Sequence, residues 1–270
     1  MRTKTKAVCW SAVTAVALVS GAMMVMTGCV NTTTWDAPPS DDDRQGDYTN
    51  TLEVATATVG DYTYTYVVTN GGAIIIGPTR TIELRGKRID TQYRRAILPA
   101  PTGVLSIPAT LDGYPVTSIG EWASPWSLNL KRVTIPPGVT SIGDHAFMVC
   151  TGLTSVDIPS SVASIGNYSF WGCKKLKNVD FPSGVTSIGE GAFRECIGLK
   201  SVTIPSSVTS IKRDAFDDCT DLKSVTILSN VVSIERNAFG GCTRLKSVVI
   251  PNGATVERDA FPKGCQILWK

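Results

Sequence analysis

The sequence predicts a right-handed repeat solenoid of 23-residue coils, with short parallel β-strands, short helical turns and an N-terminal β cap. Three observations predict it. Cysteines fall at 150, 173, 196, 219, 242 and 265, each 23 residues after the last. Seven other apolar positions recur at the same interval. A strongly alternating run with an Asn-Gly-Gly turn, Asp61 to Ile76, stands upstream of the repeats. A chain that winds one turn per period generates such columns automatically, whereas no catalytic site needs six evenly spaced cysteines.

Five full copies run from Ile135 to Val249, from IPPGVTSIGDHAFMVCTGLTSVD to ILSNVVSIERNAFGGCTRLKSVV. A sixth, IPNGATVERDAFPKGCQILWK, is one residue shorter before its Phe. Upstream, IPATLDGYPVTSIGEWASPWSLNLKRVT is a stretched, irregular copy. With Ile135 as position 1, the apolar positions are 1, 5, 8, 12, 13, 16, 19 and 22. A coil this short cannot bury its own apolar side and must stack on its neighbours. Phe147, Phe170, Phe193, Phe216, Phe239 and Phe261 then form one column and the six cysteines another.

Each stretch of the coil has its own reading. L-x-x-V-x-I alternates as a half-buried strand does. The Pro at position 2 ends that strand's hydrogen bonding. V-x-S-I is a second short extended piece. A/S-F-x-x-C has room for one helical turn, with Asp144, Asn167 or Glu190 as its cap. Seven coils at about 4.8 Å each make a rod roughly 30 Å long. Tyr62 to Val68, Asn70-Gly71-Gly72 and Ala73 to Ile76 read as a hairpin that shields the first coil.

The motif V-T-S-I-G-x-x-A-F-x-x-C-x-x-L-x-S-V-x-I-P resembles the BspA-like bacterial leucine-rich repeats, as does the entry coil Leu111 to Gly120, LDGYPVTSIG. The resemblance covers Asp61 to Lys270. It is interrupted at Arg80 to Pro101, an insertion, and at Trp126, where the A-F pair is broken. It implies a surface adhesin or interaction protein that recognises a protein on a host or neighbouring cell.

The front of the chain is a targeting segment. Arg2, Lys4 and Lys6 precede an uncharged apolar run, Ala7 to Val25, that ends in Thr27-Gly28-Cys29. A basic start, an apolar core and small residues before the cut make a secretory signal. Thr-Gly-Cys resembles a lipobox, with Cys29 as the lipidated residue. Ordinary cleavage elsewhere and an uncleaved anchor are the alternatives. All three export the remainder, to a bacterial envelope or surface. The expected organisation is a signal peptide at 1–28, a lipidated cysteine and flexible linker at 29–47, a β cap with a basic insertion at 48–106, and repeats at 107–270. Asp41 to Asp43 lie in the linker without the ligand spacing of a calcium loop.

Charge excludes one class of partner. The chain holds 26 basic and 23 acidic residues, but residues 1–28 hold three basic and no acidic ones. The remainder is 23 against 23, so no nucleic-acid partner is expected. Arg80, Arg85, Lys87, Arg88, Arg94 and Arg95 make the insertion basic, as a solvated loop or a site for an acidic partner or lipid headgroup. Nor do the residues support catalysis. His145 is the sole histidine, at a position also held by Tyr168, Gly191 and Asp214 in other coils. No phosphate loop, metal motif or cofactor site appears. Cysteines in one column point the same way, which suits neither a disulfide torsion nor a zinc tetrahedron. Buried, reduced thiols are expected.

Two surface columns remain. Lys177, Lys200, Lys223 and Lys246 at position 20 make a positive stripe beside the strand face. It either meets an acidic protein or sulfated glycan, or keeps the sheet soluble. Trp122, His145 and Tyr168 at position 11, with Met148 and Trp171 at position 14, make an aromatic column along the turn edge. It either binds a partner or lies under the insertion. Protein binding, glycan binding and a structural envelope role are the function classes that follow, none of them an enzyme.

Overall fold

The computed structural model describes residues 54–69, 71–76, 96–228 and 230–270, with the backbone of short strands at Lys6–Ala7, Asn31–Thr32, Ile82–Leu84 and Lys87–Ile89. Beyond those strands, the signal segment, Cys29, the 29–47 linker and the basic residues from Arg80 to Arg95 lie outside the described residues.

The repeat becomes a β-solenoid because each alternating segment pairs with its copy one coil on. The V-x-S-I pieces form one parallel ladder, Ser118 on Ser141, Ser164 and Ser187, continued by Ser210 on Ser233. The longer segments form a second, with Ser201 opposite Ser224 and Ile204 opposite Ile227. The offset between partners is the repeat length, so like residues stack on like. In the last coil Ser233 faces Thr255, an offset of 22, because the sixth copy is one residue short. Strand residues alternate exposed and buried, as in Ser201–Ile204 and Ser224–Ile227. The inward ones join one continuous core with the phenylalanines, cysteines and leucines.

The third side corrects an expectation. The A/S-F-x-x-C segment is not a helical turn, and no helix occurs among the described residues. Positions 11 and 15 take the left-handed conformation instead, at φ 57° for His145 and Val149 and 52° for Tyr168. A helical turn would direct each N–H back along its own chain. Here alternate N–H groups point to the next coil: His145 to Asn167 O at 2.9 Å, Phe147 to Ser169 O at 2.7 Å and Val149 to Trp171 O at 2.6 Å. The segment becomes a third ladder between coils. Asp144 caps no helix either, and its Oδ1 accepts from the Asn167 N–H one coil away at 2.7 Å.

The cap is a three-stranded antiparallel meander, Val54–Val59, Tyr62–Thr69 and Gly72–Ile75. Its last strand pairs in parallel with Tyr114–Ile119, so it serves as the first rung of the V-x-S-I ladder. Tyr64 and Tyr66 are buried in that junction, and Tyr66 Oη donates to Asp112 Oδ2 at 2.7 Å. Gly120 N–H reaches Ile75 O at 2.6 Å and Ala96 N–H reaches Ala123 O at 3.0 Å. Those two bonds bracket Trp122. The inserted segment therefore leaves and rejoins the solenoid beside the head of the aromatic column.

The cysteine column is a set of free thiols. Cys150 donates to Ser124 O at 3.3 Å, and Cys173, Cys196, Cys219 and Cys242 donate likewise to Phe147, Phe170, Phe193 and Phe216, at 3.2 to 3.3 Å. Each sulfur thus gives a buried carbonyl a partner inside the core. Burial pushes the Cys173, Cys196 and Cys219 thiols well up, which removes the reactive thiolate at neutral pH. Cys265 departs from the column and is only half-buried. A thiol reagent at pH 7 should label Cys265 and none of the other five in the folded chain. Peptide mass spectrometry reads this directly, and early labelling of any of the five contradicts the packing.

Candidate functional site

Stacking turns position 11 into a continuous run of rings. Trp122 lies over His145 with centroids 4.2 Å apart and planes 2° from parallel, and His145 lies over Tyr168 at 5.5 Å and 20°. Trp126 extends the run above Trp122 at 5.6 Å and 20°, and Trp171 closes it edge-on to Tyr168 at 6.0 Å. All five rings are half-buried, less open than an outward-facing turn edge would leave them. Met148, placed on the same surface by its position, is buried. The reason lies in the left-handed turn, which directs the position-11 side chain along the solenoid axis and over the following coil. Tyr168 covers Gly191 in this way, and a Cβ on Gly191 would collide with its ring.

The polar tips of the rings are held by carboxylates. Trp122 Nε1 donates to Glu121 Oε1 at 2.8 Å, Tyr168 Oη to Glu190 Oε1 at 2.8 Å, and Trp171 Nε1 to Glu195 Oε1 at 3.1 Å. Burial lowers the His145 pKa, against the pull of Asp144 and Glu121, so its ring is neutral between its two neighbours at neutral pH. The three glutamates and Trp126 were missed by sequence reasoning. Their signal is that each tip partner lies beside its ring or about one coil further on, a spacing visible only once coils are stacked.

The other column is where the repeat puts it. Lys177, Lys200, Lys223 and Lys246 are exposed along the strand face, beside exposed Ser201, Ser224 and Ser247. No ion pair involves these lysines among the described residues. The two columns lie on different sides of the coil and form no common site. Among the described residues, no group of three or more His, Cys, Asp or Glu is placed to hold a metal ion. Cys29 lies outside the described residues.

Comparison with known proteins follows the same architecture. The BspA-type leucine-rich repeat region model matches residues 109–223 and 163–268, in six copies. Among solved structures, the chain is similar to a leucine-rich cell surface protein of Faecalibacterium prausnitzii, with 30% identity and a TM-score of 0.60, over 77% of this chain and 52% of that one. A leucine-rich repeat protein of Bacteroides ovatus matches at 28% identity and a TM-score of 0.58, over 79% of this chain and 55% of that one. The leucine-rich repeat protein of T. pallidum matches at 27% identity and a TM-score of 0.50, over 67% and 87%. The chain spans about half the length of the first two structures. No curated protein matches it. With more than half its length in matching repeats that stack as the motif requires, the chain belongs to the BspA-type leucine-rich repeat family.

Proposed function

We propose that this chain is an exported, lipid-anchored surface protein that binds a protein partner through its aromatic edge and performs no catalysis. The family carries a surface or protein-interaction role, and its members here are repeat scaffolds. Cleavage at 28, lipid on Cys29 and a tether over 29–47 would place the cap and repeats outside the membrane.

One observation carries the choice of partner class: the rings stack on one another. A glycan platform needs an open aromatic face. The faces of Trp122, His145 and Tyr168 are occupied by their neighbours at 4.2 to 5.5 Å, which leaves mainly their edges to solvent. A half-buried array of Trp and Tyr with fixed N–H and O–H groups is the composition of a protein-binding hot spot. The regular lysine column fits the ordinary role of keeping an exposed sheet soluble.

Trp171→Ala should weaken partner binding at least about 30-fold, the loss of a hot-spot residue worth 2 kcal/mol or more. The test sets cells bearing the full chain against a panel of purified extracellular proteins and a glycan array. Capture by a protein, lost in the variant, is the expected result. Glycan capture lost in the same variant overturns the reading. Capture that survives Trp171→Ala moves the site off this edge.

A further inference from the structure

The strand face carries two aspartates at position 23, and they differ. Asp157 is held by Arg132, whose Nε donates to Oδ2 at 2.9 Å and whose Nη2 donates to Oδ1 at 3.0 Å, while Thr134 Oγ1 donates to Oδ2 at 3.2 Å. Arg132 lies 25 residues before Asp157, at position 21 of the preceding coil. For Asp180 the residue so placed is Ser155, which is short and uncharged. Asp180 is exposed and has no ion pair among the described residues.

The backbone beside Asp180 also departs from the repeat. Phe181 stands where five other coils have Ile135, Ile158, Ile204, Ile227 and Ile250. Its larger ring packs edge-on against Phe193 at 5.4 Å and Phe216 at 6.5 Å, and it remains half-buried. Pairing with the next strand stops at Val179, whereas the following pair of strands matches over four residues, Ser201 to Ile204. Asp180 and Phe181 stand off from Thr203. A hollow of about 220 Å³ lies here, lined by Asn178, Asp180, Phe181, Ser201 and Thr203, with Val179 and Val202 buried at its floor. That is smaller than the roughly 300–1,000 Å³ of a small-molecule site, and it suits a single long side chain.

We propose that this hollow receives an arginine side chain of the protein partner. Its stem crosses the rim formed by Asn178, Ser201 and Thr203 beside the half-buried Phe181, and its guanidinium forks onto Asp180 as Arg132 forks onto Asp157. The inference rests on the reading of a protein partner and adds a contact on a second face. Arginine is favoured over lysine because a planar fork matches both carboxylate oxygens, as Arg132 does on Asp157. Lys177 and its column do not cancel the attraction. Lys177 sits three residues earlier on the strand, about 10 Å away, which is about one screening length at physiological salt.

The test titrates the full chain with N-acetylarginine amide and, separately, with N-acetylcitrulline amide, its uncharged isostere, while backbone amide shifts are read by NMR. Saturable shifts confined to residues 178–181 and 201–203 are expected with the arginine probe only. Asp180→Asn should abolish them. Ser155→Arg, which supplies the missing fork from within, should abolish them too, and Phe181→Ile should weaken them by closing the hollow. Absence of local shifts, equal shifts with citrulline, or shifts undiminished in Ser155→Arg overturn the proposal. The probe is an amino-acid derivative, so the titration reads the hollow without any partner. A silent protein panel and a silent titration therefore refute different statements.

Discussion

Phe193→Ala should destabilise the chain by about 3–5 kcal/mol, the range for truncating a large aromatic in a packed core. Phe193 is fully buried. It stacks on Phe170 at 5.2 Å and Phe216 at 5.4 Å, and it takes the edge of Phe181 at 5.4 Å. Removing the ring leaves an unfilled gap in the middle of the column, because its neighbours are fixed by three ladders and cannot collapse inward. The consequence extends beyond the midpoint of unfolding. Each coil touches only its neighbours, so cooperativity passes through every rung in turn. Weakening one central rung should split a single urea transition into two. Tryptophans report on the halves separately, with Trp122, Trp126 and Trp171 on one side and Trp269 on the other. A variant with the parent's midpoint and one coincident transition would show that the column does not pack as described.

Alkaline pH should destabilise the chain steeply above about pH 8.5. Burial raises the pKa of Cys173, Cys196 and Cys219 in the folded state. In the unfolded chain a thiol ionises near pH 8.5. Above that pH the unfolded state has lost protons that the folded state still holds, so stability falls as pH rises. It is fully present below about pH 8.5 and drains away until the folded pKa is reached. Each such thiol contributes a slope of about 1.4 kcal/mol per pH unit, so three give about 4 kcal/mol per unit. Tyr64, pushed up to about 12 chiefly by burial, adds to the loss above pH 10. A typical stability of 5–15 kcal/mol would be exhausted over about one to four units. Circular dichroism melts from pH 7 to 11, with reductant present, measure the effect. A triple Cys→Ala variant should show a much flatter profile. A parent melting temperature constant from pH 8 to 11 would refute the buried column in solution.

The core was legible because stacking writes each inward position as a column, and the columns of Phe, Cys, Leu and Val repeat with little variation. The turn edge was less legible. A helical turn was expected between Ile165 and Cys173, yet positions 11 and 15 are left-handed. Glycine, Asn and Asp tolerate that conformation. They are present there as Gly172, Gly191, Asp214, Asp218 and Asn237, all at positive φ. His145, Val149 and Tyr168 occupy the same slots at other coils and mask the signal. The aromatic column itself could be read from spacing. Its half-burial could not, because that depends on which way the left-handed turn aims each ring. The unequal aspartates show the reverse case. The offset of 25 from Arg132 to Asp157 and from Ser155 to Asp180 stands in the sequence, but it gains meaning only when the fork is seen.

The two bonds that bracket Trp122 place the aromatic run next to the cap, and the chain enters the cap at Val54. A pull between a partner gripping those rings and the chain upstream of Val54 would load the cap, the irregular coil and the first three regular coils. The remaining coils would lie outside the line of force. Within the loaded part, three ladders around the perimeter hold each coil to the next side by side, so the tension divides among them before any one bond carries it alone. The coils beyond Ile204 would bear no tension, and side-chain changes on their outer columns would leave the mechanical strength of the attachment unchanged.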